Sequence, residues 1–377
     1  MNIKDFPKPH IPKKFPIEGL SVRLCADHDF LSSMLEAEQS LSEFIGYLNN
    51  LPNPHILISS LTLQEAVLSS KIEGTIATIA DVVQDNTSSE LIKNDIREIE
   101  NYCKAIKYGK EEIIEKGNGI SKYLIKNLHC LLLSNNVRGT NKNPGCFKTE
   151  QNYIYNPKLG NFTPLPPYLT DEFIDNIIDY LKNTKEVSLL MQAAMMHIQF
   201  EMIHPFQDGN GRIGRLLIPL FLYDKKRLPH PIFYISRYFA DNEDLYKEKL
   251  SNISLNNDDN NIMPWKEWLL FFFKGIDDES KRHISTAKAI ISLYKEMSAV
   301  IGKTEYLPII DYLFENLKAE PKLLCQEINL PDNSIRRVLK KLSEGENKYI
   351  LRQGSDRKTI YYFSKLVELI ENNPQKR

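Results

Sequence analysis

Twelve consecutive residues, His204, Pro205, Phe206, Gln207, Asp208, Gly209, Asn210, Gly211, Arg212, Ile213, Gly214 and Arg215, bring together a base, a carboxylate, a glycine-rich turn and two guanidiniums. A histidine titrates near neutrality, so His204 can take a proton from an attacking hydroxyl. Asp208 offers a hard oxygen of the kind that holds magnesium beside phosphate oxygens. Gly209, Gly211 and Gly214 let backbone N–H groups converge on an anion, and the apolar run 213–222 reads as the helix they open. A helix N-terminus behind such a turn attracts anions. Arg212 and Arg215 stand three apart and can project from one turn towards the same phosphates. This set is equipped to handle a nucleoside triphosphate.

The elements that must position these residues are mostly helical. Apolar residues at Val187, Leu190, Met191, Ala194, Ile198 and Met202 recur every three or four positions and predict a buried helix that delivers His204 at its end. Similar patterns predict helices over about 29–48, 59–72, 91–114 and 170–181. His197 lies two turns before His204 on the same face and reads as structural support. Beta character is expected in two places only. One is 152–167, which alternates, turns through 156–160 and extends again; the other is near the C-terminus. The Asn/Asp cluster 256–261 predicts an exposed loop, and the last domain boundary is expected near Gly302.

A second charged feature lies far upstream, in Ser69, Ser70, Lys71, Ile72, Glu73 and Gly74. Gly74 suits the left-handed residue that follows a helix. Glu73 then falls in the last turn, where an acid opposes the helix dipole by about 0.3–1 kcal/mol. A carboxylate so placed is either an ordinary surface acid beside Lys71 or the partner of a cation elsewhere.

Composition narrows the class. The chain has 377 residues, 48 Lys and Arg against 49 Asp and Glu, a formal net charge of −1, and room for two or three domains. The five cysteines, Cys25, Cys103, Cys130, Cys146 and Cys325, show no metal-ligand spacing and suit a reduced, cytoplasmic setting. No signal-peptide core or spanning apolar run is evident, so no membrane partner is expected. In the C-terminal part, helices are predicted over 307–317, 322–328 and 333–342. Strands over 349–352 and 359–363 then flank a turn at 353–357, a winged-helix arrangement. Arg336, Arg337, Lys340 and Lys341 lie on its third helix, and twelve Lys/Arg against seven Asp/Glu follow Pro321. That face could contact DNA, or it could be the solvated side of a docking module.

The core run resembles the signature of the Fic family, HPFx[D/E]GNGRxxR, with every fixed position filled. The resemblance implies a mainly α fold: a helical bundle with a β-hairpin flap, here followed by the winged-helix-like domain. It divides the chain into an N-terminal inhibitory helical domain (1–95), a catalytic core (96–275), a connecting helix (276–302) and the C-terminal domain (303–377). It implies transfer of AMP from ATP to a Ser, Thr or Tyr hydroxyl of a target protein, with Mg2+ on Asp208 and self-modification possible. His204 would act as base, Asn210 would stabilise charge on the α-phosphate, and Arg212 and Arg215 would hold the β- and γ-phosphates. The ATP-binding set would comprise Glu73, His204, Gly209, Asn210, Gly211, Arg212, Ile213, Gly214 and Arg215. Asn242, in a segment similar to the one that closes over adenine, would contact the base; Tyr246 there is a ligand contact or core.

Ser69, Glu73 and Gly74 match the family's inhibitory motif [S/T]xxxE[G/N], which implies that Glu73 pairs with Arg215 and keeps it from the γ-phosphate. The stretch 146–167 is similar to the flap, with Lys148 where arginine is common and Tyr155 where glycine is common. A homodimer burying part of the inhibitory domain is also compatible with the family. Two other functions remain open: removal of AMP with Glu73 positioning water, and a nucleotide-sensing regulator that binds DNA through 303–377.

Overall fold

The computed structural model describes residues 6–51, 53–84, 87–184, 188–256, 260–344, 348–354 and 359–371. Short helix α1 (Leu20–Cys25) leads into α2 (His28–Asn49), whose first turn is capped by Asp27 accepting from the Phe30 N–H at 2.9 Å. There follow α3 (His55–Ile72), α4 (Ile79–Gln84), α5 (Glu90–Glu115) and α6 (Lys122–Leu132), with α5 and α6 capped by Ser89 and Ser121. After the hairpin come α7 (Thr170–Asn183), α8 (Leu189–Ile203, capped by Ser188) and α9 (Asn210–Asp224). Short α10 (Ser236–Asp241), α11 (Glu243–Ser254) and the long α12 (Met263–Ile301) complete the helical body.

Nearly every side chain of α8 and α9 is buried, so these two helices form the centre of the bundle rather than a surface layer. They pack on one another at Gly214, where a Cβ would come within 2.5 Å of Glu201 Oε1. Around them lie α5, α6 and α7 on one side and α11 and α12 on the other. α12 packs along α2 and continues past the body to Gly302, which ends it with φ +71. Its 39 residues, about 58 Å at the α-helical rise, tie the core to the C-terminal part, and position 275 lies inside this one helix.

The C-terminal part contains α13 (Leu307–Asn316), β1 (Lys318–Ala319), α14 (Pro321–Glu327), α15 (Asp332–Ser343), β2 (Leu351–Gln353), β3 (Ile360–Tyr362) and α16 (Ser364–Glu371). The sheet is antiparallel in the order β1-β3-β2, pairing Lys318 with Tyr362 and Leu351 with Tyr362. β1 is an extra strand relative to the sequence expectation. It is two residues long and follows Leu317 at φ +59, too short for an alternation to register. The expected hairpin over 152–167 is present as a single bridge, Ile154 to Phe162, with exchanged backbone bonds of 2.9 Å. Val187, part of the loop at 257–259 and the turn residues 355–358 lie outside the described residues. Among the described residues no helix is long and apolar enough to cross a membrane.

Candidate active site

The site forms where α8 ends and α9 begins. His204 stops α8 in the left-handed conformation, φ 49 and ψ 61, which is unusual for a residue with a side chain. The base of the hairpin holds it there. Asn152 Nδ2 donates to the carbonyls of His204 (2.9 Å) and Phe206 (3.0 Å), while Lys148 Nζ donates to Ile203 O and Asn152 Oδ1, both at 2.9 Å. Lys148, which the sequence singles out only as a departure from arginine, is therefore a buried clamp under the loop. Burial pushes its ammonium down to about 7. The other wall is His129 of α6, stacked on Phe206 at 3.7 Å. Its Nδ1 accepts from the Gly145 N–H, so Nε2 carries the proton and donates to Asp208 O at 2.9 Å. Burial pushes His129 down to about 4, which keeps that tautomer neutral.

His204 itself is pushed down to about 4 by burial and by Lys148, with Glu73 acting the other way. It is neutral at pH 7 and able to accept a proton. Its Nδ1 lies 3.9 Å from Glu201 Oε2, whose carboxyl is pushed up to about 8 by burial.

Gly209 caps α9 at φ 78, and the first intrahelical bond runs from the Ile213 N–H to Gly209 O at 3.1 Å. The N–H groups of Asn210, Gly211 and Arg212 precede it and face outward from the helix end. Three further residues of the expected ATP-binding set have the following surroundings. The Ile213 N–H is used within the helix. Gly214 lies a turn further in, against Glu201 and His197 of α8, so its lack of a side chain serves helix packing. The side chain of Asn210 is engaged at both ends by Phe206, accepting from its N–H and donating to its carbonyl at 2.8 Å each, and so shapes the loop.

The guanidiniums are buried and each meets a carboxylate. Arg212 Nη1 donates to Glu98 Oε2 at 2.7 Å, and its Nη2 is 3.6 Å from Asp208 Oδ1. Among the described residues its Nε and Nη2 have no acceptor within hydrogen-bond reach. Such open donors beside three free helix N–H groups make an anion cradle. Glu98, on α5, is absent from the sequence expectations; it also lies 3.5 Å from Arg138 Nη2. Burial raises its carboxyl and the two arginines pull against that.

Arg215 donates from Nε to Ser69 Oγ (2.9 Å) and from Nη2 to Ser69 O (2.9 Å) and Glu73 Oε1 (2.7 Å). Glu73 caps α3, and Gly74 follows at φ +96. The Gly74 N–H reaches Lys71 O and the Thr75 N–H reaches Ser70 O, a Schellman turn. The turn sets Glu73 directly over α9, where a Cβ on Gly211 would run into its Oε1. Burial alone would raise the Glu73 carboxyl; Arg215, Arg212 and His204 outweigh it and hold it below the ordinary value. Asp95 of α5 secures the chain just beyond, accepting from the Ile76 N–H at 2.7 Å.

Asp208 is about one-third exposed; its Oδ1 accepts from the Gly209 N–H at 2.6 Å. Among the described residues no three His, Cys, Asp or Glu side chains are grouped to hold a metal by themselves. One carboxylate beside an anion cradle fits magnesium carried in with phosphates. Tyr246 is core: its hydroxyl bonds His197 Nε2 at 2.8 Å, and both rings stack among Phe239 and Trp268. Asn242 joins α10 to α11 and donates from Nδ2 to Tyr238 O at 2.9 Å.

A buried helix pair, a hairpin beside it and an anion cradle closed by a carboxylate define the candidate site of this helical fold. Residues 31–111 match the profile of the Fic/DOC family N-terminal region and residues 119–222 that of the Fic/DOC family. The chain carries a Fic/DOC N-terminal region followed by a Fic/DOC domain. It is 28% identical over 187 residues to a probable protein adenylyltransferase of Aquifex aeolicus, covering 50% of this chain and 52% of that one. It is 36% identical over 80 residues to protein adenylyltransferase fic-1 of Caenorhabditis elegans, 21% of this chain and 15% of the relative. The chain thus spans about half or less of the curated relatives it matches.

Among solved structures, a Fic family protein from Desulfovibrio desulfuricans aligns with a TM-score of 0.55 at 19% identity, over 88% of this chain and 95% of that one. A Fic domain containing signaling protein from Bacteroides thetaiotaomicron aligns at 0.54 and 21%, over 67% and 97%. These likenesses show the fold.

Proposed function

We propose that this chain is an autoinhibited protein adenylyltransferase, transferring AMP from ATP to a Ser, Thr or Tyr hydroxyl of a target protein. The observation that carries the reading is the Glu73 carboxylate, 2.7 Å from Arg215 and seated over Gly211 at the mouth of the anion cradle. The names of the curated relatives support the reaction class.

In this reading the target hydroxyl oxygen attacks the α-phosphorus and its proton passes to neutral His204. The bond from the α-phosphorus to the bridging oxygen breaks and pyrophosphate leaves. The N–H groups at the start of α9 and the open donors of Arg212 meet charge on the phosphates, as positioning and electrostatics require. Asn210 contributes by holding the loop that presents those amides. Asp208 would hold Mg2+, which when bound neutralises phosphate charge. With Glu73 on Arg215, that guanidinium is unavailable to the γ-phosphate, and ATP settles out of line.

The partly exposed Glu73 carboxylate, close enough to His204 to act on its charge, favours a second reading in which Glu73 positions water to remove AMP. The DNA reading of 303–377 draws less support. Arg336 pairs along the surface of its own helix with Asp332 at 2.8 Å, and Arg337 donates to Tyr306 Oη at 2.7 Å, so two of the four cations of α15 already have partners. A docking role fits that pairing better.

The test is incorporation of α-phosphate-labelled ATP, with magnesium, into host-lysate protein and the chain itself. Glu73→Gly is expected to raise label, and adding His204→Ala to abolish it. Label that falls with Glu73→Gly would move the assignment to AMP removal.

A further inference from the structure

α3 is sandwiched. Its amino-acid pattern has no polar face: Ile56, Leu57, Leu61, Leu63, Ala66 and Val67 are buried all around the helix, together with Gln64, Glu65 and Ser69. A helix buried on every side has two neighbours to satisfy. One is the catalytic core, met through Ser69 and Glu73 on Arg215, Thr62 on Tyr234 (2.9 Å) and Glu65 on Tyr102 (3.0 Å). The other is the C-terminal module, because α13 and α16 both pack on α3, and α16 also packs on α4.

Polar contacts fix that second face. The last turn of α16 leaves its carbonyls without helical partners, and Ile370 O accepts from Gln64 Nε2 of α3 and from Arg237 Nη2 (3.3 Å) of α10. Glu371 accepts from the Ala80 N–H at the start of α4 (3.1 Å). Tyr362 of β3 donates to Gln84 O at the end of α4 (3.1 Å). The module therefore grips the helix that carries Glu73 and the segment just beyond it. Neither grip touches the anion cradle.

We infer that the C-terminal module, residues 307–371, is the latch of the inhibitory helix, and that loosening it from α3 and α4 withdraws Glu73 from Arg215. The proposal rests on the autoinhibited reading above and names what controls it. Because α3 is largely buried, its position follows from both neighbours, and the hydrogen bonds given above for the module reach α3, α4 and α10 rather than His204 or Asp208. An effector that engages the module would act at Glu73 through α3, with no contact to ATP.

The experiment uses the full chain, labelled ATP with magnesium, and two readouts: incorporated label and hydrogen exchange of the amides in 66–75. Ile370→Asp breaks the buried contact. Tyr362→Phe combined with Glu371→Leu removes the donor to Gln84 O and the acceptor for the Ala80 N–H while keeping the apolar packing, so it serves if Ile370→Asp does not fold. Either is expected to raise label roughly 5- to 100-fold, the range of an ordinary coupling between sites, and to speed exchange in 66–75. On top of Glu73→Gly neither should add a further rise, since Arg215 is already free. Label at the wild-type level while Glu73→Gly is active overturns the latch, as does an equal rise in both backgrounds. If Glu73→Gly gives no label, the adenylyltransferase reading fails, and unchanged exchange in 66–75 then sinks the latch on its own.

Discussion

Arg212 and Arg215 lie one turn apart on α9, both buried, each 2.7 Å from a glutamate. The glutamates differ. Glu98 sits within α5 with its side chain 3% exposed, whereas Glu73 hangs from the turn that ends α3 and is 32% exposed. The first acid can leave only if the bundle opens. The second is held by a turn, by Arg215 and by whatever fixes α3. On the proposed reading, one chemical pair serves as frame in one place and as switch in the other, and what separates them is where the carboxylate is mounted.

The comparison is most exposed to stability measurements. Glu98→Ala leaves Arg212 buried without its carboxylate, and breaking such a pair is expected to cost about 3–5 kcal/mol in urea unfolding. Glu73→Gly should cost less than half of that, because Ser69 Oγ and Ser69 O still accept from Arg215. Equal losses would erase the distinction between frame and switch.

Activity should divide the other way. Glu73→Gly is expected to raise label incorporation roughly 10- to 100-fold, while Glu98→Gln, which keeps the shape of the side chain, should give no rise. A smaller step comes from Ser69→Ala. It removes the hydroxyl that accepts from Arg215 Nε and leaves Glu73 in place. One hydrogen bond to a charged group is worth about 1.5 kcal/mol at the lower end of its range, and a rise of about tenfold in label should follow, because Ser69 O and Glu73 still hold Arg215. A rise as large as that of Glu73→Gly would show that Ser69, rather than the carboxylate, holds Arg215 back.

Much of the switch is written in local order. His204, Asp208, Gly209, Arg212 and Arg215 are neighbours in the chain, and a helix with its cap fixes their relative placement. Ser69, Glu73 and Gly74 are likewise one helical turn and its stop. The frame is not written that way. Glu98 and Arg212 are 114 residues apart, and no periodicity links them. Its trace is indirect: Asp95, Glu98 and Tyr102 follow the three- and four-residue spacing of the buried face of α5, where unpaired acids do not belong.

The local surroundings of Gly214 and Ile213 were not legible for a related reason. A glycine-rich run suggests a shared role, but once Gly209 caps the helix only the next three N–H groups are free. Asn210 sits among those three, yet its side chain turns back to Phe206, which composition alone does not reveal. Lys148 was visible as a residue type but not as a clamp, since its acceptor Ile203 O is brought to it only by the end of α8.

The smallest expected effect is with acid. A carboxyl whose folded value lies below its ordinary 4.5 keeps its ion pair at every pH above that ordinary value, and loses it only as pH falls through the lower, folded one. Burial pushes Glu73 upward, so this outcome depends on Arg215, Arg212 and His204 winning. His204, pushed down to about 4, also stays neutral over this range. The ratio of label in wild type to label in Glu73→Gly should therefore stay within about twofold between roughly pH 5.5 and 7. Glu201, pushed up to about 8, is the group that can disturb it. Its ionisation sets a second carboxylate beside Arg215 that repels Glu73, so any rise in the ratio should come on the alkaline side. A rise near pH 6 instead would mean that burial dominates at Glu73, and that the switch carboxylate is held by its turn rather than by its arginine.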